Sequence, residues 1–267
     1  MPVFTDQLAR SIELPFTPQR IVSLVPSLTE LLYHLGLDEQ VAGITKFCVH
    51  PDAWFRQKTR IGGTKAVHID RIHQLQPDLI IANKEENVKD QVEELARHYP
   101  VWVSNVNNLP DALHMIHGIG ALTGTQAKAT SLVDQINLAF SALQTTTCPD
   151  LSGNNKPQTA YLIWRNPYMT IGHDTFIHEM LGRCGFQNMF AHTTRYPVIT
   201  IGQLQGCQLL LLSSEPYPFK QQHIDELQHH LPDTNIILVD GEFFSWYGSR
   251  LLQAPAYFQQ LIQKVRS

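Results

Sequence analysis

Aromatic and cationic residues recur directly after the predicted strands of this 267-residue chain, where they could bind a ligand. Trp164 and Arg165 follow one apolar segment, Lys65 lies in a Gly-Gly-Thr-Lys loop, and Trp246 and Tyr247 end an aromatic run. Aromatic faces provide contact area at low entropic cost, and Arg or Lys can meet carboxylates or phosphate. This composition predicts a surface for a large flat ligand with acidic substituents. For the two aromatic segments, residues 164–168 and 243–247, packing in the core is the alternative interpretation.

Thirteen histidines suggest a metal site, but their spacing does not support one. The pairs His114 and His117, and His173 and His178, lack the His-Glu-x-x-His or carboxylate pattern of such sites. The Ser249 region lacks the Gly-x-Ser-x-Gly motif of a nucleophile. We therefore predict no catalytic residue, no metal ligand and no cofactor. A single histidine could still coordinate a ligand's own metal, the candidates being His50 and His68.

Strands alternate with helices along the chain, which predicts parallel sheets covered by helices. Ser27 and Glu30 have the form of a capping box, so a helix is expected to begin at Ser27. The strongest strand segments are residues 20–25, 78–82, 101–104 and 160–164, and the strongest helical segments are residues 27–35, 88–98 and 174–184.

A helical connector is predicted from Pro110 to Thr147 because apolar residues recur there every three or four positions. From Thr125 to Gln144 it would extend roughly 30 Å, about the width of a small domain. The Pro- and Gly-containing residues that follow, up to 155, end the helix. We therefore divide the chain into an N-terminal α/β lobe over 1–109, a linking helix over 110–147 and a C-terminal α/β lobe over 148–267.

An internal repeat supports two similar lobes. Residues 74–81 match residues 203–210, and residues 92–100 match 224–232, both at an offset of roughly 130. Duplication explains this best, and convergence on a common βα pattern is the alternative. Because ligands bind beyond the carboxyl ends of parallel strands, the two lobes predict a ligand cleft between them.

Composition excludes several partner classes. A net charge of −4 gives no basic surface for nucleic acid, and no apolar run reaches the ~20 residues of a membrane span. The given N-terminus lacks the basic and apolar regions of a signal peptide, which predicts a cytoplasmic protein. We also expect a monomer. A native start further upstream would instead make the protein periplasmic or membrane-associated. Four widely spaced cysteines suit a reducing compartment.

Four segments of the chain carry a family likeness, namely residues 20–32 (RIVSLVPSLTELL), 62–72 (GGTKAVHIDRI), 75–82 (LQPDLIIA) and 181–190 (LGRCGFQNMF). In this order and spacing they resemble the helical-backbone metal-chelate receptors, the substrate-binding proteins of type II ABC importers, and above all their vitamin B12-binding members. The resemblance implies two Rossmann-like lobes joined by a single long backbone helix. It also implies an interlobe ligand cleft for a corrinoid, haem or ferric siderophore.

The resemblance carries over unevenly to the ligand site. Tyr196, before Pro197, keeps an aromatic residue of the vitamin B12-binding members, and Trp164 falls where the family has a cleft aromatic. Thr64 and Asn83 stand where those members have tryptophans, so the corrinoid pocket is not reproduced intact.

The family docks on its permease through one acidic residue on each lobe, and here Asp70 keeps the first while Gly202 replaces the second. We therefore predict a non-enzymatic binder of a metal chelate, in an ABC-type uptake system or as a cytoplasmic relative of one. The favoured ligand is a corrinoid, followed by haem or a ferric siderophore. The alternative is a cytoplasmic α/β enzyme acting on a tetrapyrrole or nucleotide-like substrate. The predicted ligand-binding residues are Lys65, Trp164, Arg165, Tyr196, Trp246 and Tyr247.

Overall fold

The computed structural model describes residues 2–146 and 156–266, and the chain forms two compact units. Unit 1 contains Met1–Val106, Pro110–Gln135 and Tyr247–Arg250. Unit 2 contains Asn107–Leu109, Ile136–Trp246 and Leu251–Ser267. The predicted boundary at 147, the predicted end of the connector and Cys148 lie outside the described residues. Unit 2 differs from the predicted C-terminal lobe over 148–267, because it also contains Asn107–Leu109 and begins its main segment at Ile136, within the predicted linking helix, and because Tyr247–Arg250 belongs to unit 1.

Unit 1 is built on a parallel five-stranded sheet, preceded by an antiparallel hairpin. The hairpin strands are β1 Val3–Thr5 and β2 Ser11–Glu13, and the sheet strands are β3 Ile21–Ser23, β4 Val41–Ile44, β5 Thr59–Arg60, β6 Leu79–Asn83 and β7 Val101–Ser104. Their order in the sheet is β5–β4–β3–β6–β7. Strands β3, β6 and β7 are buried along their whole length, which explains their largely apolar sequences.

Helices connect these parallel strands, as the alternating sequence pattern predicts. They are α1 Pro26–His34, α2 Asp52–Gln57, α3 Ile69–Leu75 and α4 Lys89–Ala96, and α5 Leu109–Leu122 follows the last strand. The predicted capping box is wrong. Helix α1 begins at Pro26, its N-cap is Val25 without a side-chain cap, and Glu30 instead forms an ion pair with Arg250 at 2.8 Å. Proline lacks an N–H and has a preset φ, so it starts the helix one residue before Ser27.

The sequence predicts one linking helix over 110–147, but the described part of this segment consists of two helices. Helix α5 ends at Leu122, and α6 runs over Gln126–Thr146. Gly124 has a φ of +71°, a left-handed conformation that ends a helix readily. Gly120 allows the next helix to approach, since a Cβ there would lie 2.4 Å from the Cβ of Ala129. Residues 126–135 of α6 belong to unit 1 and residues 136–146 to unit 2.

Unit 2 has a parallel four-stranded sheet and a small antiparallel ribbon. The strands are β8 Gln158–Leu162, β9 Tyr168–Met169, β10 Gln187–Asn188, β11 Val198–Ile199, β12 Leu209–Ser213 and β13 Asn235–Val239. The sheet order is β10–β8–β12–β13, and β9 pairs with β11 in the ribbon. The helices are α7 Phe176–Arg183, α8 Gln221–His230, α9 Glu242–Ser245 and α10 Ala254–Arg266, with a 3₁₀ turn at Ile201–Leu204. A second 3₁₀ turn, Ser249–Leu252, begins in unit 1 and ends in unit 2.

The two sheets repeat one arrangement. In unit 1, β3, β6 and β7 are neighbours in that order, and in unit 2, β8, β12 and β13 are. Helix α4 connects β6 to β7, just as α8 connects β12 to β13. The sequence repeat thus falls on equivalent elements, while its origin by duplication stays a prediction.

Within the described residues, no helix is both long enough and apolar enough to cross a bilayer. Three of the four cysteines, Cys48, Cys184 and Cys207, are buried free thiols.

Candidate functional site

The carboxyl ends of the unit 1 strands present an exposed aromatic ring and two lysines. Phe47 follows β4, is 51% exposed and packs on Gly63, where an added Cβ would lie 3.1 Å from its ring. The Lys46 ammonium lies 5.0 Å from the centre of that ring, and the exposed Lys65 donates to the backbone oxygen of Glu85 at 2.7 Å. We call Lys46, Phe47, Gly63 and Lys65 the unit 1 edge. It offers one aromatic face with cations beside it.

Two buried asparagines fix the loops at this edge. The Asn87 amide donates to the backbone oxygens of Leu24 at 3.3 Å and Thr64 at 3.0 Å, and its Oδ1 accepts from the Asn83 N–H at 2.8 Å. The Asn83 Oδ1 accepts from the N–H groups of Glu85 and Glu86. Asn83 is therefore a structural residue of unit 1 in this chain.

Tyr247 is a buried part of unit 1. It is 4% exposed, and its hydroxyl donates to Glu86 Oε1 at 3.0 Å. Burial, followed by the charge of Glu86, raises the pKa of the Tyr247 hydroxyl well above its usual value. Gly248 permits this packing, since a Cβ there would lie 2.7 Å from the backbone oxygen of Ser27. Tyr247 thus offers little surface to a ligand, and a direct contact stays a prediction.

In unit 2, aromatic residues cluster where β8 and β12 end. Trp164 is 39% exposed, and its ring centre lies 5.9 Å from that of Tyr217 in an edge-to-face arrangement. Tyr217 in turn contacts Phe219 at 4.8 Å and His223 at 5.5 Å. Burial and the charge of Arg165 lower the pKa of His223, whose Nδ1 accepts the Lys220 N–H. His223 is therefore a neutral, structural histidine.

Arg165 lies next to this cluster and is paired with an acid. Its Nη2 donates to both oxygens of Glu226, at 2.8 and 2.7 Å. The hydrogen bond from Arg165 lowers the pKa of the Glu226 carboxyl, and hydrogen bonds to Glu226 and then Tyr168 raise that of Arg165. Both groups are thus charged at neutral pH. We call Trp164, Arg165, Tyr217, His223 and Glu226 the unit 2 wall.

Tyr196 lies just before β11 in the ribbon that adjoins this wall. It is half-buried, and the Arg195 guanidinium lies 5.4 Å from its ring centre. The Thr170 N–H donates to the oxygen of Pro197, and Trp164 forms a β-bridge with Met169. Backbone pairing therefore connects the Tyr196 and Trp164 segments within one unit, as a shared site would require.

Trp246 is buried inside unit 2. It is 6% exposed, and its indole N–H donates to Glu215 Oε1 at 3.0 Å. The Ser245 hydroxyl donates to the same oxygen at 2.5 Å. Of the predicted site residues, Trp246 and Tyr247 thus have structural partners, and only Lys65, Trp164, Arg165 and Tyr196 present accessible surface.

Replacing Glu215 by glutamine is expected to raise the unfolding temperature near neutral pH. Burial raises the pKa of Glu215, against hydrogen bonds from Ser245 and Trp246, so the folded chain holds the proton more tightly than the unfolded chain. Its contribution to stability is therefore present below the unfolded pKa and is lost as the pH rises through the folded pKa. Glutamine keeps the accepting oxygen without ionising.

Melting curves of wild type and Glu215→Gln between roughly pH 4 and pH 8 test this, because the difference should grow as the pH rises. Glu39→Gln, at an exposed acid, is the control. A difference that stays constant with pH would contradict the assignment.

Several contributors to these surfaces are absent from the predicted site. The main ones are Phe47, Tyr217 and Glu226. The sequence could have indicated Phe47 and Tyr217, because each is an aromatic residue shortly after a predicted strand. Glu226 lies 61 residues from its partner Arg165, so nothing local marks it. Among the described residues, no group of three or more His, Cys, Asp and Glu side chains could hold a metal ion.

Comparison with known proteins identifies the family of the chain. The family model described as periplasmic binding protein matches residues 21–205, well over half of the chain. The chain belongs to the periplasmic binding protein family. The match begins at β3 and runs past the 3₁₀ turn of unit 2.

Relatives of this periplasmic binding protein carry descriptions of ligand-binding proteins. It is 24% identical over 206 residues to the vitamin B12-binding protein of Vibrio parahaemolyticus, covering 76% of this chain and 72% of the relative. The periplasmic vitamin B12-binding protein BtuF of Vibrio cholerae has a TM-score of 0.78 at 19% identity, over 95% of this chain and 100% of that one. The periplasmic haem-binding protein RhuT of Roseiflexus sp. RS-1 also has a TM-score of 0.78, at 20% identity, over 93% and 99%.

These likenesses show a two-lobe periplasmic binding protein fold, which confirms the predicted α/β class and the predicted family. The interlobe ligand cleft stays a prediction.

Proposed function

We propose that this protein binds a metal chelate without transforming it, with a corrinoid as the favoured ligand and haem or a ferric siderophore after it. The proposal rests on the family and on relatives described as vitamin B12-binding or haem-binding proteins. A large macrocycle needs broad aromatic contact area, since such ligand sites are mostly apolar with a few polar groups.

The observation that carries the proposal is the accessible aromatic surface at the strand ends of each unit. Phe47 is half exposed in unit 1, and Trp164 is partly exposed in unit 2 with its edge on Tyr217. Isolated exposed aromatics need no explanation, but each of these two follows the carboxyl end of a parallel strand, where parallel-sheet proteins bind ligands. Polar atoms for orientation are available at Lys65 and Arg165.

The test is a titration of the purified chain with cobalamin, cobinamide, haem and a ferric siderophore. Visible absorption and tryptophan fluorescence are followed together. Saturable binding of one chelate at micromolar or lower concentration, with the chelate recovered unchanged, supports the proposal. Binding of none, or conversion of a bound chelate, contradicts it.

Delivery to an ABC permease is the second part of the proposal. Asp70 is an exposed acid in the first turn of α3, a position suited to an arginine on a partner. Gly202, in the 3₁₀ turn of unit 2, is exposed and carries no charge. Docking would therefore depend on unit 1 more than on unit 2. A periplasmic or membrane-associated location would suit this role, and a cytoplasmic location would suit a relative that acts without a permease.

A further inference from the structure

The unit 2 wall has one cation among its strand-end residues, and that cation is neutralised. Arg165 follows β8, whereas the residues after β12 and β13 supply the acids Glu215, Asp240 and Glu242. The Arg165 guanidinium is held by Glu226 of α8 through two contacts of 2.7 and 2.8 Å. Side-chain exposure is 24% for Arg165 and 43% for Glu226, so a ligand can reach both groups.

We propose that Glu226 sets the charge selectivity of the unit 2 wall, so that the chelate bound there has uncharged amide groups at its edge in place of carboxylates. The inference rests on the proposed function and adds the chemical class of the ligand's periphery. It assigns to Glu226 a selectivity role that its sequence position does not indicate.

Trp164 and Arg165 both contact Tyr217. The Trp164 ring packs edge-to-face on the Tyr217 ring, and a hydrogen bond to Tyr217 is one of the causes that raise the pKa of Arg165. A flat ligand stacked on the Trp164 indole would therefore have the Arg165–Glu226 ion pair within the same cluster of side chains. A carboxylate on the edge of that ligand would meet Arg165 and Glu226 together, and the attraction by one would be offset by repulsion from the other. A chelate with several carboxylates therefore gains little binding free energy from this ion pair.

A primary amide fits the same pair better. Its N–H groups can donate to the Glu226 carboxylate while its oxygen accepts from the Arg165 guanidinium, so both protein charges gain a hydrogen bond. Hydrogen bonds with one charged partner are stronger than those between neutral groups. The pair thus has an acceptor and a donor side by side, which matches an amide. Corrinoids carry peripheral amides, whereas haem carries two carboxylates.

The experiment compares ligands that differ only in this group. Cyanocobalamin and its separated monocarboxylates, in which one peripheral amide is hydrolysed, are titrated into wild type, Glu226→Gln and Asp225→Asn. Asp225 is the adjacent exposed acid on α8, and it accepts from Gln221, so its variant has the same charge change without touching Arg165. If haem is the chelate that binds, haem and its dimethyl ester form the matched pair.

The expected result is that wild type binds the amide form at least about tenfold more tightly than one or more monocarboxylates. Glu226→Gln should reduce this ratio severalfold, and Asp225→Asn should leave it unchanged. Glu226→Ala serves as a second variant if the glutamine variant does not fold.

Equal binding of amide and acid by wild type, or an unchanged ratio in both Glu226 variants, would overturn the inference while leaving chelate binding intact. Absence of any chelate binding by wild type would overturn the proposed function and, with it, this inference.

Discussion

Replacing Trp246 by alanine is expected to lower the free energy of unfolding by about 3–5 kcal/mol, the usual cost of removing a large buried aromatic side chain. The indole is 6% exposed, so the truncation leaves a cavity within unit 2. It also removes one of the two hydrogen bonds to Glu215 Oε1 described for that buried carboxyl. Chemical denaturation followed by circular dichroism measures the change.

Trp164→Ala is the matched control, because it removes the same side chain from a position 39% exposed. We expect it to change the stability by less than about 1 kcal/mol. Trp246→Phe keeps most of the packing and should lie between wild type and alanine. If Trp246→Ala were as stable as wild type but bound chelate poorly, Trp246 would be a ligand contact as the sequence predicted.

Trp164→Ala is expected to weaken chelate binding by about 2 kcal/mol, roughly thirtyfold, while leaving the fold intact. Exposed tryptophans in binding surfaces contribute strongly because a large rigid ring loses little entropy on binding. Fluorescence or absorption titration with the chelate identified for wild type gives the dissociation constant.

Two comparisons isolate the role of this indole. Trp164→Phe retains an aromatic face and should recover much of the affinity. Leu138→Ala removes another exposed apolar side chain, from helix α6, and should have no effect on binding. Wild-type affinity in Trp164→Ala would remove the unit 2 wall from the ligand site.

Sequence patterns predicted the elements well where burial alone decides them. The apolar run at residues 78–82 became β6, Leu79–Asn83, and Val101–Ser104 became β7 as expected. These segments are buried on both faces, so any parallel strand there must be apolar throughout. The 3.6-residue period likewise predicted helical structure over Gln126–Thr146, although it did not indicate the break between α5 and α6.

The sequence failed where the outcome depends on contacts between distant residues. Ser27 and Glu30 match a capping box, yet Glu30 pairs with Arg250, 220 residues away. Trp246 and Tyr247 come directly after helix α9, and nothing local indicates their hydrogen bonds to Glu215 and Glu86, so their contact with a ligand stays a prediction. Arg165 has its charge balanced by a residue of α8. Local patterns give the position of a side chain along an element and cannot give its partner.

The two asparagines of unit 1 have a consequence for the thermodynamics of ligand capture. The Asn87 side chain donates hydrogen bonds to Leu24, which follows β3, and to Thr64, so it joins three loops. Asn83 accepts a hydrogen bond from Glu85 and thereby fixes the turn that follows β6. Segments held by several hydrogen bonds between these side chains and backbone groups have already lost their conformational freedom before a ligand binds, so little ordering remains to oppose association. Calorimetry of Asn87→Ala should therefore show a larger entropic penalty than wild type on binding, because the loops would then have to be ordered by the ligand itself.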